Sequence, residues 1–171
     1  MIVSTDFLDD GSKSYLDALA AIKAFETAVR GICGAVCDKH KPQLVGKIGL
    51  EDAEWHDHDN PAPEDRFAEL GVYQNSPSGR ETLYVYVRWD GDQVGAPKIL
   101  AEVSLEFSTR NDRNDYGKLL REVSSIRPGD DSDYPYLWSS KTLTNLSKCA
   151  EVLDELLNEW LACWPAGRRL Q

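Results

Sequence analysis

Between residues 14 and 40 apolar side chains return every three or four positions. Tyr15, Leu19, Ile22, Phe25, Val29, Ile32, Cys33 and Val36 form one stripe of an amphipathic helix. Ser14 is placed to cap this helix, and Asp17 lies in its first turn, where the dipole favours negative charge. Pro42 is expected to end it, because the residue before a proline is pushed out of the helical region. Gly31 and Gly34 weaken its last turns.

After residue 43 the apolar period shortens toward two. "QLVGKIGL" reads as a short strand, and "EDAEWHDHDNPAP" as a polar loop marked by Asn60, Pro61 and Pro63. "RFAELGVYQN" reads as a second strand, closed by the turn residues "SPSG". "ETLYVYVRW" is the clearest strand, dense in β-branched and aromatic residues. "KILAEVSLEFS" alternates strictly, with Ile99, Ala101, Val103, Leu105 and Phe107 on one face and Glu102, Ser104 and Glu106 on the other.

"TRNDRND" supplies cap residues for a helix through Tyr116, Leu119, Leu120, Val123 and Ile126, stopped by Pro128 and Gly129. "DYPYLW" reads as a short edge strand, where proline is tolerated. A last helix from about Thr144 to Cys163 carries Leu146, Ala150, Leu153, Leu157 and Trp160 inward. The order α-β-β-β-β-α-(β)-α implies an α+β fold. It is an antiparallel sheet of four to five strands with the long N- and C-terminal helices packed on one face. The chain reads as a single domain over 1–171, with 1–12 and 166–171 as flexible ends.

Composition narrows the function more than the fold. The 29 acidic residues exceed the 19 basic ones, for a net charge of −10 and a pI near 4.7. Such a field repels phosphate backbones and anionic lipid and favours a basic protein partner. The expectation is therefore no nucleic acid and no membrane, with a homo-oligomer left open. No apolar run reaches the roughly 20 residues of a bilayer span. "MIVSTDFLDDGSK" is acidic where a secretory signal would be basic and then apolar, so a cytoplasmic location is expected. Cys149 and Cys163 would stand about 21 Å apart on one helix and cannot bridge, so free thiols are expected.

Candidate chemistry is sparse. In "EDAEWHDHDN" His56 and His58 could serve as two metal ligands, with Glu64 as a third. The cupin motif differs from this run in two spacings and needs a later histidine that the chain lacks. Cys33, Cys37 and His40 share one helix face and could add thiolate and imidazole ligands, but Cys33 also continues the apolar stripe. No glycine-rich phosphate cradle and no G-x-S-x-G occurs. Restriction-type nucleases need a lysine two residues after a carboxylate, where this chain has Ser104 after Glu102 and Ser108 after Glu106.

The reading that remains is an acidic binding protein without a cofactor or catalysis of its own. It is an inhibitor-like, immunity-like or chaperone-like partner of a basic protein. A metal-dependent or small-ligand enzyme using the His56/His58 loop is the alternative. Register decides which side of "ETLYVYVRW" binds. Leu83, Val85, Val87 and Trp89 carry nothing that needs a polar partner and are expected in the core. Tyr84, Tyr86 and Arg88 then face away from it beside Glu102, Ser104 and Glu106, and tyrosine and arginine are favoured interface anchors.

Overall fold

In a computed structural model, residues 5–62, 67–91, 98–120, 125–130 and 134–171 are described. Helix α1 spans Thr5–Gln43 and passes into a π-helical turn, Leu44–Ile48. Strands β1 (His56–Ala62), β2 (Phe67–Asn75), β3 (Glu81–Asp90) and β4 (Lys98–Phe107) follow. Then come α2 (Arg110–Leu120), β5 (Arg127–Asp130), β6 (Pro135–Thr142), a 3-10 turn (Leu146–Lys148) and α3 (Cys149–Cys163). The fold is α+β. Its sheet is antiparallel with six strands in the order β1-β2-β3-β4-β6-β5, one more than the sequence pattern implies.

The sheet is organised by the β3–β4 pair. Val85 stands opposite Val103, Leu83 opposite Leu105 and Val87 opposite Ala101, so all six side chains leave the sheet on the same side. Each is buried, as the expected register requires. The neighbouring strands add Val72 from β2 and Leu137 from β6 to that side. Over it lie α1, through Val29, Cys33, Val36 and Cys37, and α3, through Leu153, Leu156, Leu157 and Trp160. The buried indole of Trp160 donates to Ser139 Oγ at 2.7 Å, which satisfies its one polar atom. Helix α2 joins the same layer, where Tyr116 stacks between Phe107 and Trp164 at 5.5 and 5.2 Å.

Several boundaries differ from the sequence pattern, each for a local reason. Helix α1 begins at Thr5, not near Ser14, so residues 5–12 are helical. Pro42 does not end it. A proline removes one hydrogen bond from the ladder, and the chain beyond it widens into the π turn instead of becoming a strand. Leu44 and Ile48 are buried while Gly46 between them is exposed, whereas a strand would turn all three to one face. Gly49 closes the turn at φ +102, donating to Leu44 O at 2.9 Å.

Pro128 and Gly129 do not merely stop α2. They lie in β5, a four-residue edge strand that takes the outer place expected for "DYPYLW". Strand β6 is consequently interior, paired with β4 on one side and β5 on the other. The C-terminal tail also packs. Leu170 is buried and its N–H donates to Ile48 O at 2.7 Å, while Ser78 holds the Gln171 carbonyl. Residues 166–171 are thus tied to the body.

All four cysteines are free thiols; Cys33, Cys37 and Cys149 are buried and Cys163 is half-buried. Cys33 shares a hydrogen bond with Cys149 across the α1–α3 contact, and that bond, then burial, pushes its thiol far above the ordinary value. Burial does the same to Cys37, which makes it a poor nucleophile. The nearby His40 is buried and turns its Nε2 to Asp154 Oδ1 of α3 at 2.7 Å, while Lys39 Nζ reaches the same oxygen at 2.7 Å.

This cluster links α1 to α3 and has a pH signature. The Lys39 bond, then the His40 bond, holds the Asp154 carboxyl below its ordinary value. A depressed carboxyl stabilises the fold above its unfolded value and loses that contribution as pH falls through the folded one. Asp154→Asn is expected to cost about 1 kcal/mol near neutral pH. The deficit relative to wild type should shrink once the pH drops below about 3. Chemical denaturation of both proteins at the two pH values measures it, and an undiminished deficit in acid refutes the assignment.

Candidate functional site

Because all three helices sit on one side, the other side of the sheet is uncovered among the described residues. Alternation brings to it Tyr73 and Glu69 from β2, Tyr84, Tyr86 and Arg88 from β3, and Leu100, Glu102, Ser104 and Glu106 from β4. Tyr136, Trp138 and Ser140 of β6 complete it. Together they line a groove of about 850 Å³. The five residues expected to contact a partner, Tyr84, Tyr86, Arg88, Glu102 and Glu106, therefore share one surface.

His56 and His58 are not in a loop. They belong to β1, an edge strand whose partners on β2 are Tyr73 and Gly71. What holds β1 in place is a residue on the helical side. Arg30 of α1 donates to Asp59 Oδ2 at 2.8 Å and lies 3.9 Å from Asp57. With Asp57 and Asp59 turned toward α1, His56 and His58 must turn to the groove. His56 lies over Tyr73 at 5.0 Å; His58 meets Tyr84 at 5.0 Å and Tyr86 at 5.4 Å, both edge-on. Glu64, the third candidate ligand, lies outside the described residues. Among the described residues no three His, Cys, Asp or Glu side chains are grouped as a metal site requires.

Gly71 is the position that lets these rings converge. It stands between His58 on β1 and Tyr86 on β3. A Cβ at Gly71 would lie 2.2 Å from Val85 O and 2.5 Å from the Tyr86 Cα and Cβ, which no relaxed strand accommodates.

Carboxylates form the floor. Tyr84 donates its hydroxyl to Glu106 Oε2 at 3.1 Å. Tyr86, only 8% exposed, bonds Glu102, itself 3% exposed. Glu69 receives His58 Nε2 at 3.3 Å and stands 3.9 Å from the Arg88 guanidinium. Burial raises the Glu102 carboxyl above its ordinary value, against the lowering effects of Tyr86 and Arg88. Burial, then the charge of Glu102, raises the Tyr86 hydroxyl as well. Glu69, Asp90, Glu102 and Glu106 outnumber Arg88 and Lys98 along the groove, so its field is negative.

Sequence reasoning missed Trp138, Tyr136, Tyr73 and Glu69. The alternation of Tyr136 and Trp138 about the buried Leu137 is legible in "YLW". Their place beside β4 depends on a pairing 34 residues away, Ser104 with Trp138, which no local pattern encodes. The chain matches no protein-family model, no curated protein and no solved structure.

Two outcomes follow for this face. A carboxyl raised in the folded state adds stability below the ordinary glutamate value and loses it as pH rises through the folded value. Glu102→Gln removes the buried charge and keeps an acceptor for Tyr86. Its melting temperature should exceed wild type near neutral pH, with the gap closing toward about pH 4. A melting temperature below wild type at neutral pH would contradict the burial argument. Gly71→Ala should lose at least about 2 kcal/mol, because backbone must move to admit the methyl. Denaturant titration of that variant gives the figure.

Proposed function

We propose that the protein is a binding protein whose uncovered sheet face takes a cationic segment of a basic protein partner. It would act as an inhibitor, an immunity protein or a chaperone of that partner. The observation that carries this reading is the pairing of buried carboxylates with an aromatic rim in one groove. Glu102 and Glu69 sit nearly dry at the floor, and Tyr84, Tyr73 and Trp138 stand half-buried around them.

An arginine or lysine side chain entering such a groove would meet three favourable terms. Its stem would cover the rings, its charge would lie over π faces, and its N–H groups would meet Glu102 or Glu106. The carboxylates have already lost water in the free protein, so their desolvation is not counted again on binding. Tyrosine and tryptophan are the residue types that most often dominate binding energy once water is excluded. The negative field of the groove would speed encounter with a basic surface more than it would deepen the complex.

Titration with a short arginine- and lysine-rich peptide tests the reading. Saturable binding is expected, with association slowing as salt shortens the Debye length to about 10 Å and below. Tyr86→Ala should weaken the complex by more than about 1 kcal/mol while the unfolding transition stays cooperative. Glu102→Gln should weaken it too, despite melting higher, which separates a binding role from a structural one. Equal affinity of wild type and both variants for the peptide, or no saturation at low salt, would end the proposal.

A further inference from the structure

The apolar stripe of α1 changes character along its length. Val29, Cys33, Val36 and Cys37 are interior, packed in the core beneath the sheet. Toward the N-terminus the same stripe continues through Tyr15, Leu19, Ile22 and Phe25, with Leu16 at its margin. Here each side chain is between 41% (Phe25) and 64% (Tyr15) exposed. Every residue from 11 to 25 is exposed. Phe25 meets the body where its ring abuts Trp89 at 5.5 Å. From Gly11 to Phe25 the helix thus runs on for about 21 Å as an overhang. An isolated helix of that length is marginal in water, and a continuous apolar patch of a few hundred Å² on it marks a contact surface.

We infer that this overhang is a homodimer interface, in which the α1 overhangs of two copies pack antiparallel with apolar stripe against apolar stripe. Charge selects the occupant. The whole chain carries −10, but residues 11–28 carry Lys13 and Lys23 against Asp17 and Glu26, a sum of zero. A basic protein finds no acidic excess there, and an anionic membrane finds no basic face. A second copy can approach that neutral segment without repulsion.

Spacing agrees. Tyr15, Ala18, Ile22 and Phe25 follow one another by three, four and three, the repeat by which one helix seats on another, and Ala18 lets the two backbones come close. Charge also sets the direction. Most of the excess acid, −7 of the −10, lies in residues 29–171 of each copy, which antiparallel pairing holds at opposite ends and parallel pairing would press together. Two such stripes bring the buried total close to the roughly 1,000 Å² that a specific interface needs.

The groove on the sheet is not involved, so the test is independent of it. Sedimentation velocity of the full chain at micromolar concentration should give twice the 19.2 kDa chain mass. Ile22→Glu should weaken the dimer at least about tenfold, since a carboxylate would be buried without a partner. Near-UV circular dichroism from the core tryptophans should stay unchanged, which shows the body is folded even if the freed overhang frays. Mixed Tyr15→Cys and Phe25→Cys chains should cross-link to each other faster than either does to itself. A wild-type mass of 19.2 kDa throughout, a dimer indifferent to Ile22→Glu, or faster self-cross-linking would each overturn the inference.

Discussion

The register of β3 against β4 is the constraint from which the rest of the molecule follows. With Val85 opposite Val103, the apolar side chains of the two central strands leave on one side, Leu100 and the two tyrosines excepted. A slip of one residue would exchange the two sets completely and strand Glu102 and Glu106 under the helices. The apolar side is wide enough to take the cover of α1, α2 and α3 together. The same alternation that builds the core therefore builds the groove, and neither can be altered without the other.

The groove is a polar surface that has been made dry in places. Tyr86 and Glu102 are both buried, yet they belong to no helix–sheet contact. Their satisfaction is mutual, hydroxyl to carboxylate, with His58 edge-on to the ring. Such a network is costly when partly satisfied, and a free protein tolerates that cost most readily where a partner completes it. The outer strands frame it by different means. Strand β1 is held from the far side by Arg30 and carries Asp57, Asp59 and Asn60, residues that discourage further strand addition. Strand β5 is short and begins with Arg127 and Pro128.

Helix α1 joins the covered and uncovered parts of the molecule. Its C-terminal half is interior and bound to α3 through the Cys33–Cys149 contact and the His40–Asp154–Lys39 cluster. Its N-terminal half displays the same side-chain pattern to solvent. Amphipathic periodicity reports that a face wants cover and is silent on what covers it. The stripe over residues 15–36 is accordingly legible as a helix, but the point where its cover changes, near Val29, is not.

Local chemistry by itself determined the class and the central sheet. Strict alternation in "KILAEVSLEFS" and the polarity difference between the two faces of "ETLYVYVRW" decide which side chains enter the core, because a strand has only two sides. The same two patterns suffice to set Tyr84, Tyr86, Arg88, Glu102 and Glu106 on one face. Tertiary structure alone decided what stands next to them. His58 reaches the tyrosines because Arg30 and Gly71, from a helix and another strand, position β1; Trp138 arrives through a pairing distant in the chain. It also turned "LVGKI" into a π turn, which buries Leu44 and Ile48 but leaves Gly46 exposed, a step that the short apolar run did not specify. Periodicity is a property of neighbours along the chain, whereas strand order and cover are properties of neighbours in space.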